Sequence, residues 1–245
     1  MAEMRRLDRI VLVHGAGHGG WCWEQVVPLL EARRYQVNTL DLPGAGDDPT
    51  PQEEVTFAGY VRRVIEVVRS GPAPVLLLGH SMGGAPISQA AEEIPELIGK
   101  LVYLAAILLK DGESMNSVPL GGENSARRAI IPGDTDAAHD FDRVIAAEVF
   151  YNTCHPALAA SASRRLGLQA VAPLGQRLAL SADRWGKIPK TYIVCTHDQA
   201  LPTPQQHWLC ARMPEVRKLT METDHSPFFS DPAGLAEIID REARK

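Results

Sequence analysis

The segment Gly79-His80-Ser81-Met82-Gly83 carries the strongest chemical signal in the chain. It lies between an apolar run at residues 75–78 and an amphipathic stretch at 81–93. A serine with glycines two residues away on either side, between a strand and a helix, has the pattern of a nucleophile elbow. The tight turn holds the serine in a strained backbone conformation, and the glycines let neighbouring backbone come close. The hydroxyl then stands above the sheet at a helix N-terminus, where the dipole favours developing negative charge. Outside that context the same residues would be a turn with a capping serine.

A serine hydroxyl is a weak nucleophile at neutral pH and needs a base. Behind such an elbow the chain order is serine, acid, histidine. His225, in Thr223-Asp224-His225-Ser226-Pro227, is the only histidine beyond the last strand pattern. Asp198, in Thr196-His197-Asp198-Gln199, follows the strand pattern at 191–195, which puts it on the same sheet edge as Ser81. Its role would be to hold the His225 tautomer and stabilise the imidazolium. Asp111 is the rival acid, one strand earlier. Asp224 adjoins His225 in sequence, so its side chain should diverge from the imidazole and serve as a cap or turn.

The first loop reads His14-Gly15-Ala16-Gly17-His18-Gly19-Gly20-Trp21. In this place it supplies one backbone N–H of an oxyanion hole, and the residue after the nucleophile supplies the other. That assigns Ala16 and Met82 by their N–H groups; one such donor is worth about 10²–10³ in rate. The competing reading is a dinucleotide loop with Asp41 on the ribose, but the glycine spacing matches that fingerprint poorly. His14 and His18 read as local hydrogen bonders that order the loop, with His18 within reach of a ligand. His80 reads as the variable position of the elbow. His139, His155, His197 and His207 read as surface or capping residues.

Around these residues, strand patterns fall at 10–13, 36–40, 75–78, 100–104, 191–195 and 217–221. Helix patterns fall at 23–35, 57–69, 81–93 and 232–243, the last with Asp231 as N-cap and Pro232 in the first turn. This alternation predicts an α/β fold: a mostly parallel sheet with helices on both faces. Residues 110–185 break the rhythm. They show no convincing strand, a glycine- and serine-rich start at 112–133, and helical patterns at 137–150 and 156–166. The expectation is a core of 1–109 and 186–245 with 110–185 as a helical lid. Gly15, His18, Trp21, Phe150 and Tyr151 are the expected substrate pocket.

The 245 residues carry a net charge of −5, from 25 basic and 30 acidic residues, with no basic block that would suit nucleic acid. Cys22, Cys154, Cys195 and Cys210 are scattered without a C-x-x-C pair, so a disulfide framework or zinc site is not expected. No H-x-x-H or H-E-x-x-H pair suggests another metal. No apolar run approaches membrane-spanning length and no signal-peptide pattern opens the chain, so a cytoplasmic protein without membrane contact is expected. Nothing in the sequence specifies an oligomeric state.

The stretch Val11-Leu12-Val13-His14-Gly15-Ala16-Gly17-His18-Gly19-Gly20-Trp21-Cys22-Trp23, the elbow, the segment Tyr192 to Asp198 and Asp224 to Phe228 together resemble one family. It is the α/β-hydrolase branch of plant methylesterases, hydroxynitrile lyases and bacterial esterase relatives. Residues 150–154 also resemble the bacterial members. The resemblance spans nearly the whole chain. It implies the α/β-hydrolase fold, Ser81, Asp198 and His225 as a triad, no cofactor, and a small-molecule ester substrate. Hydroxynitrile lyases of this branch carry a threonine where this chain has Gly15 and a lysine where it has Ser226. The threonine would crowd the oxyanion pocket, and the lysine would stabilise departing cyanide. The expectation is therefore ester hydrolysis, with a hydroxynitrile lyase, a non-catalytic small-molecule receptor or a cofactor-free perhydrolase as alternatives.

Overall fold

A computed structural model describes residues 6–119 and 125–244. Residues 120–124, inside the glycine- and serine-rich stretch, lie outside the described residues. Six strands form the main sheet: β1 (Arg9–Val13), β2 (Gln36–Thr39), β3 (Val75–His80), β4 (Ile98–Leu104), β8 (Lys190–Cys195) and β9 (Arg217–Met221). Their order is β2-β1-β3-β4-β8-β9, and every neighbouring pair is parallel. The expected mostly parallel sheet is thus present, and each predicted strand falls on an observed one.

Strand alternation supplies a core on each face. Val11 and Val13 enter one apolar cluster, where Val61, Val64 and Val68 of α2 (Phe57–Arg69) and Ile87 and Ala91 of α3 (Gly84–Glu93) meet them. Ile10 and Leu12 enter the other, with Leu30 of α1 (Val27–Glu31), Phe228 of α7 (Pro227–Ser230), and Leu235 and Ile239 of α8 (Pro232–Ala243). Caps set the helix starts. Thr56 Oγ1 accepts from Gly59 N at 3.0 Å, and Asp231 Oδ1 accepts from Gly234 N at 2.9 Å. The helix α6 (Thr203–Ala211) lies between β8 and β9.

Two sequence expectations change. The helix pattern at 23–35 is a 3₁₀ turn (Gly20–Trp23) followed by the five-residue α1. Pro28 has no N–H and fits only the first turn, and Arg34 takes a φ of +65°, which closes the segment. The second change concerns residues 110–185, which contain an antiparallel sheet: β5 (Ile130–Pro132), β6 (Ala138–Phe141) and β7 (Gln169–Ala170). The helix pattern at 137–150 is therefore β6 plus α4 (Arg143–Phe150), divided by Asp142, whose carboxylate accepts from Val144 N and Ile145 N. Strands of two to four residues are too short for alternation to register. The second predicted helix is α5 (Pro156–Arg164). All four cysteines are free.

Near the N-terminal ends of β4 and β8 lies a buried ion pair. Glu242 of α8 receives Lys100 Nζ at 2.6 Å and Thr191 Oγ1 at 2.7 Å, and Arg217 approaches at 3.4 Å. Lys100 and Glu242 are almost wholly enclosed. Removing one partner strands the other charge out of water, which costs about 3–5 kcal/mol. Glu242→Leu is expected to lower the unfolding free energy by about that amount in a urea titration. A midpoint unchanged from the parent would show that the pair contributes nothing.

Candidate active site

Ser81 directly follows β3 and opens the 3₁₀ turn Ser81–Gly83 that leads into α3. Its φ is +52°, a left-handed value that a residue with a Cβ seldom adopts. Ile107 N–H donates to Ser81 O at 2.9 Å and helps hold it there. The glycines of the motif are needed for contact. A Cβ on Gly79 would lie 2.5 Å from Gly83 O, and one on Gly83 would lie 2.6 Å from His14 O.

Asp198 follows β8 and is nearly sealed from solvent. Its Oδ1 accepts from Ala200 N at 2.7 Å and Leu201 N at 2.8 Å. Its Oδ2 accepts from Gln206 Nε2 at 2.9 Å and from His225 Nδ1 at 2.7 Å. Donating through Nδ1 leaves His225 Nε2 as the lone-pair nitrogen. Asp111 is occupied elsewhere, accepting from Leu180 N at 2.8 Å. Asp224 is a turn acceptor, taking Ser226 N at 3.0 Å, Ser230 Oγ at 2.8 Å and Thr153 N at 3.0 Å.

The first loop is ordered by its own histidines. His14 Nδ1–H donates to Gly15 O at 2.8 Å, while His14 Nε2 accepts from Leu42 N at 3.1 Å. His18 N–H also donates to Gly15 O, at 3.3 Å. Across a trans peptide the carbonyl and the next N–H point in opposite directions, so anchoring Gly15 O fixes the direction of the Ala16 N–H. Asp41 accepts from Gly20 N at 2.6 Å and Asp47 N at 3.0 Å, so it braces this loop instead of facing a ribose.

A cavity of about 200 Å³ joins these parts. Ala16, Ser81, Met82 and His225 line it, as do His18 and Phe150 of the expected pocket. Gly15, Trp21 and Tyr151 are not on its wall. Trp21 instead stacks on His18 with centroids 5.4 Å apart, beneath the Arg165 guanidinium at 4.3 Å. Tyr151 is buried behind His18 and donates its hydroxyl to Nε2 at 2.8 Å. Both aromatic side chains serve the packing behind the wall. His139, read from sequence as a surface or capping residue, does line the cavity.

The sequence reading gives His80 no role beyond the variable position of the elbow and does not single out Gln206. His80 is fully buried, and its Nε2–H donates to the His225 carbonyl at 2.8 Å. Gln206 is fully buried on α6 and ties Asp198 to the Cys195 and Leu201 carbonyls. A glutamine on the inward face of a helix eight residues after the acid was the available signal.

Residues 10–238 match the alpha/beta hydrolase family, and the chain belongs to it. It is 31% identical over 250 residues to the putative methylesterase 13, chloroplastic, of Arabidopsis thaliana, covering 97% of this chain and 56% of that protein. The chain thus spans little more than half the length of that relative. Methylesterase 1 of Arabidopsis thaliana is 31% identical over 270 residues, with 98% of this chain and 97% of that protein covered. Among solved structures, a pyrethroid hydrolase from Sphingobium faniae JZ-2 superimposes with a TM-score of 0.85 at 31% identity, over 97% of each chain. No helix among the described residues is long and apolar enough to cross a membrane.

Burial shapes the titration of the site. The His18 imidazole is held down to about 3, mainly by desolvation and also by the neighbouring His14 and His225. Desolvation likewise lowers His14 and, more strongly, His80. In the unfolded chain such imidazoles take up protons near pH 6.5. Below that pH the unfolded state binds protons that the folded state refuses, so stability falls with acidity by about 1.4 kcal/mol per pH unit for each such group. Urea unfolding at pH 7, 6 and 5 is expected to show a decline steeper than one proton accounts for. A flat profile over that window would mean the three imidazoles are not held neutral.

Proposed function

We propose that the protein is a serine carboxylesterase acting on small to medium hydrophobic carboxylic esters, with no cofactor. The observation that carries this reading is the enclosed 2.7 Å bond between Asp198 and His225, with the imidazole on the wall of the cavity that also holds Ser81. The similarity to methylesterases and to a pyrethroid hydrolase supports it.

In this mechanism Ser81 Oγ attacks the ester carbonyl carbon while His225 Nε2 takes the hydroxyl proton. Asp198 stays ionised and holds the resulting imidazolium. The Ala16 and Met82 N–H groups receive the tetrahedral oxyanion. Collapse breaks the bond to the alcohol, which leaves with the proton from Nε2. Water then gives a proton to Nε2 and attacks the acyl-enzyme, and the acid departs as Ser81 regains its hydrogen. The 110–185 segment acts as a lid over this chemistry, contributing Phe141, Phe150 and Leu174 to the wall. A site of action in the cytoplasm is part of the proposal; methylesterase 13 carries a chloroplast designation.

Gly15 bears on the choice between hydrolysis and cyanohydrin cleavage. A Cβ there would lie 2.8 Å from Ser81 Cβ and 2.9 Å from His80 Nδ1. A threonine therefore has no room without displacing the nucleophile or its neighbour.

Fluorophosphonate labelling with peptide mapping, run beside a chain-length series of chromogenic esters, tests the assignment. The label is expected on Ser81, turnover is expected to favour short and medium acyl chains, and Ser81→Ala is expected to lose about 10⁴–10⁶ in kcat. Near-normal turnover by that variant would refute the nucleophile, and labelling without turnover would indicate a receptor. Gly15→Thr is expected to reduce kcat by about 10²-fold or more, since it disturbs the geometry of attack. Parent-like kcat in that variant would remove the steric argument.

A further inference from the structure

Gln169 lies in β7, far from the proposed triad in sequence and hidden from solvent, with 4% of its surface exposed. It also forms part of the cavity wall. Its Oε1 accepts from Gly17 N at 3.4 Å, and its Nε2 donates to Tyr60 Oη at 3.1 Å and to Ala170 O at 3.0 Å. The carboxamide is therefore fixed from the α2 side while its oxygen holds the first loop.

Gly17 is gripped on its other sides by the same 110–185 segment. Gly167 N–H donates to Gly17 O at 2.8 Å. The Phe141 ring lies so close that a Cβ on Gly17 would clash with its Cε2. Gly17 has a φ of +69°, the left-handed region open to glycine without strain. Its N–H belongs to the peptide whose carbonyl, Ala16 O, receives His18 Nδ1–H at 2.8 Å. Both ends of the Ala16–Gly17 peptide are thus tied, one by the loop itself and one by Gln169. The adjoining peptide carries the Ala16 N–H.

We infer that Gln169 is a positioning residue for the oxyanion hole, through which the 110–185 segment sets the aim of the Ala16 N–H. This inference rests on the esterase reading above and deepens it. The physical ground is that an oxyanion donor works by preorganisation, since its hydrogen bond must already point where charge develops. The loop's own bonds anchor Gly15 O and Ala16 O, and in a glycine-rich segment the hold of Gln169 on the Gly17 N–H adds a restraint from outside the loop. Because Gln169 and Phe141 also line the cavity, the residues that meet the substrate are the ones that hold the donor loop in place.

The test compares four proteins on a short chromogenic ester: the parent, Gln169→Leu, Gln169→Asn and Tyr60→Phe. Gln169→Leu removes the acceptor, and Gln169→Asn keeps an amide that is one methylene too short to reach Gly17. Both are expected to lower kcat by about 10-fold to 100-fold, with KM changed less than about threefold, because the loss falls on the transition state. Tyr60→Phe leaves the Gly17 contact in place and is expected to keep kcat within about threefold of the parent. Should Gln169→Leu fail to fold, Gln169→Asn carries the comparison.

Parent-like kcat in both the Leu and Asn variants would overturn the inference. So would a loss confined to KM, or an equal fall in kcat for Tyr60→Phe, which would mark a merely structural network. The parent separates the two levels of the argument. A parent that turns over supports the esterase reading whatever the variants do. A parent that is labelled at Ser81 without turnover defeats that reading, and the labelling rate then replaces kcat in the same comparison. A parent that is neither labelled nor active defeats both.

Discussion

A carboxylate held out of water is the constraint on which this site turns. Asp198 is almost fully enclosed, and a lone charge there would be prohibitively expensive. Four donors make it tolerable: two backbone N–H groups, the Gln206 amide and the His225 imidazole. That arrangement leaves the imidazole one orientation in which Nδ1 is protonated and Nε2 carries the lone pair. The orientation of the His225 ring thus follows from the need to satisfy a buried anion.

Three other histidines work in the opposite manner. His14, His18 and His80 are enclosed without carboxylate partners, so burial keeps them neutral. A neutral imidazole is both donor and acceptor, and each ring is used that way or in part. His18 donates to Ala16 O and accepts from Tyr151 Oη; His14 donates to Gly15 O and accepts from Leu42 N. These rings are hydrogen-bonding struts for the glycine loop, able to hold it without adding charge to the cavity.

Rigidity beneath the site comes from the sheet. Its central strands are apolar on both faces, because helices cover both, and Ser81 and Asp198 lie just beyond strand ends. The strained φ of Ser81 is sustained by close backbone packing around Gly79 and Gly83. Above this platform the 110–185 segment is built from short strands and helices, with Ile130, Ile131 and Val144 left substantially exposed.

Local chemistry was legible in the amino-acid order. The elbow announces itself because a tight strand-to-helix turn demands glycines at set positions. The helix at 232–243 begins at its cap, Asp231, which acts on a residue only a few positions away. Apolar runs identify the four central strands because a doubly covered strand needs a hydrophobic stretch, while the edge strands β2 and β9 carry polar, partly exposed residues. Tertiary structure alone decided the rest. Trp21 and Tyr151 stand behind the cavity wall, His80 binds the carbonyl of a residue 145 positions later, and Gly17 meets Gln169 across 152 positions. The short strands at 130–170 are stabilised by their mutual pairing and carry no periodicity of their own. Such contacts depend on where two remote segments come to rest, and no local preference of either segment contains that information.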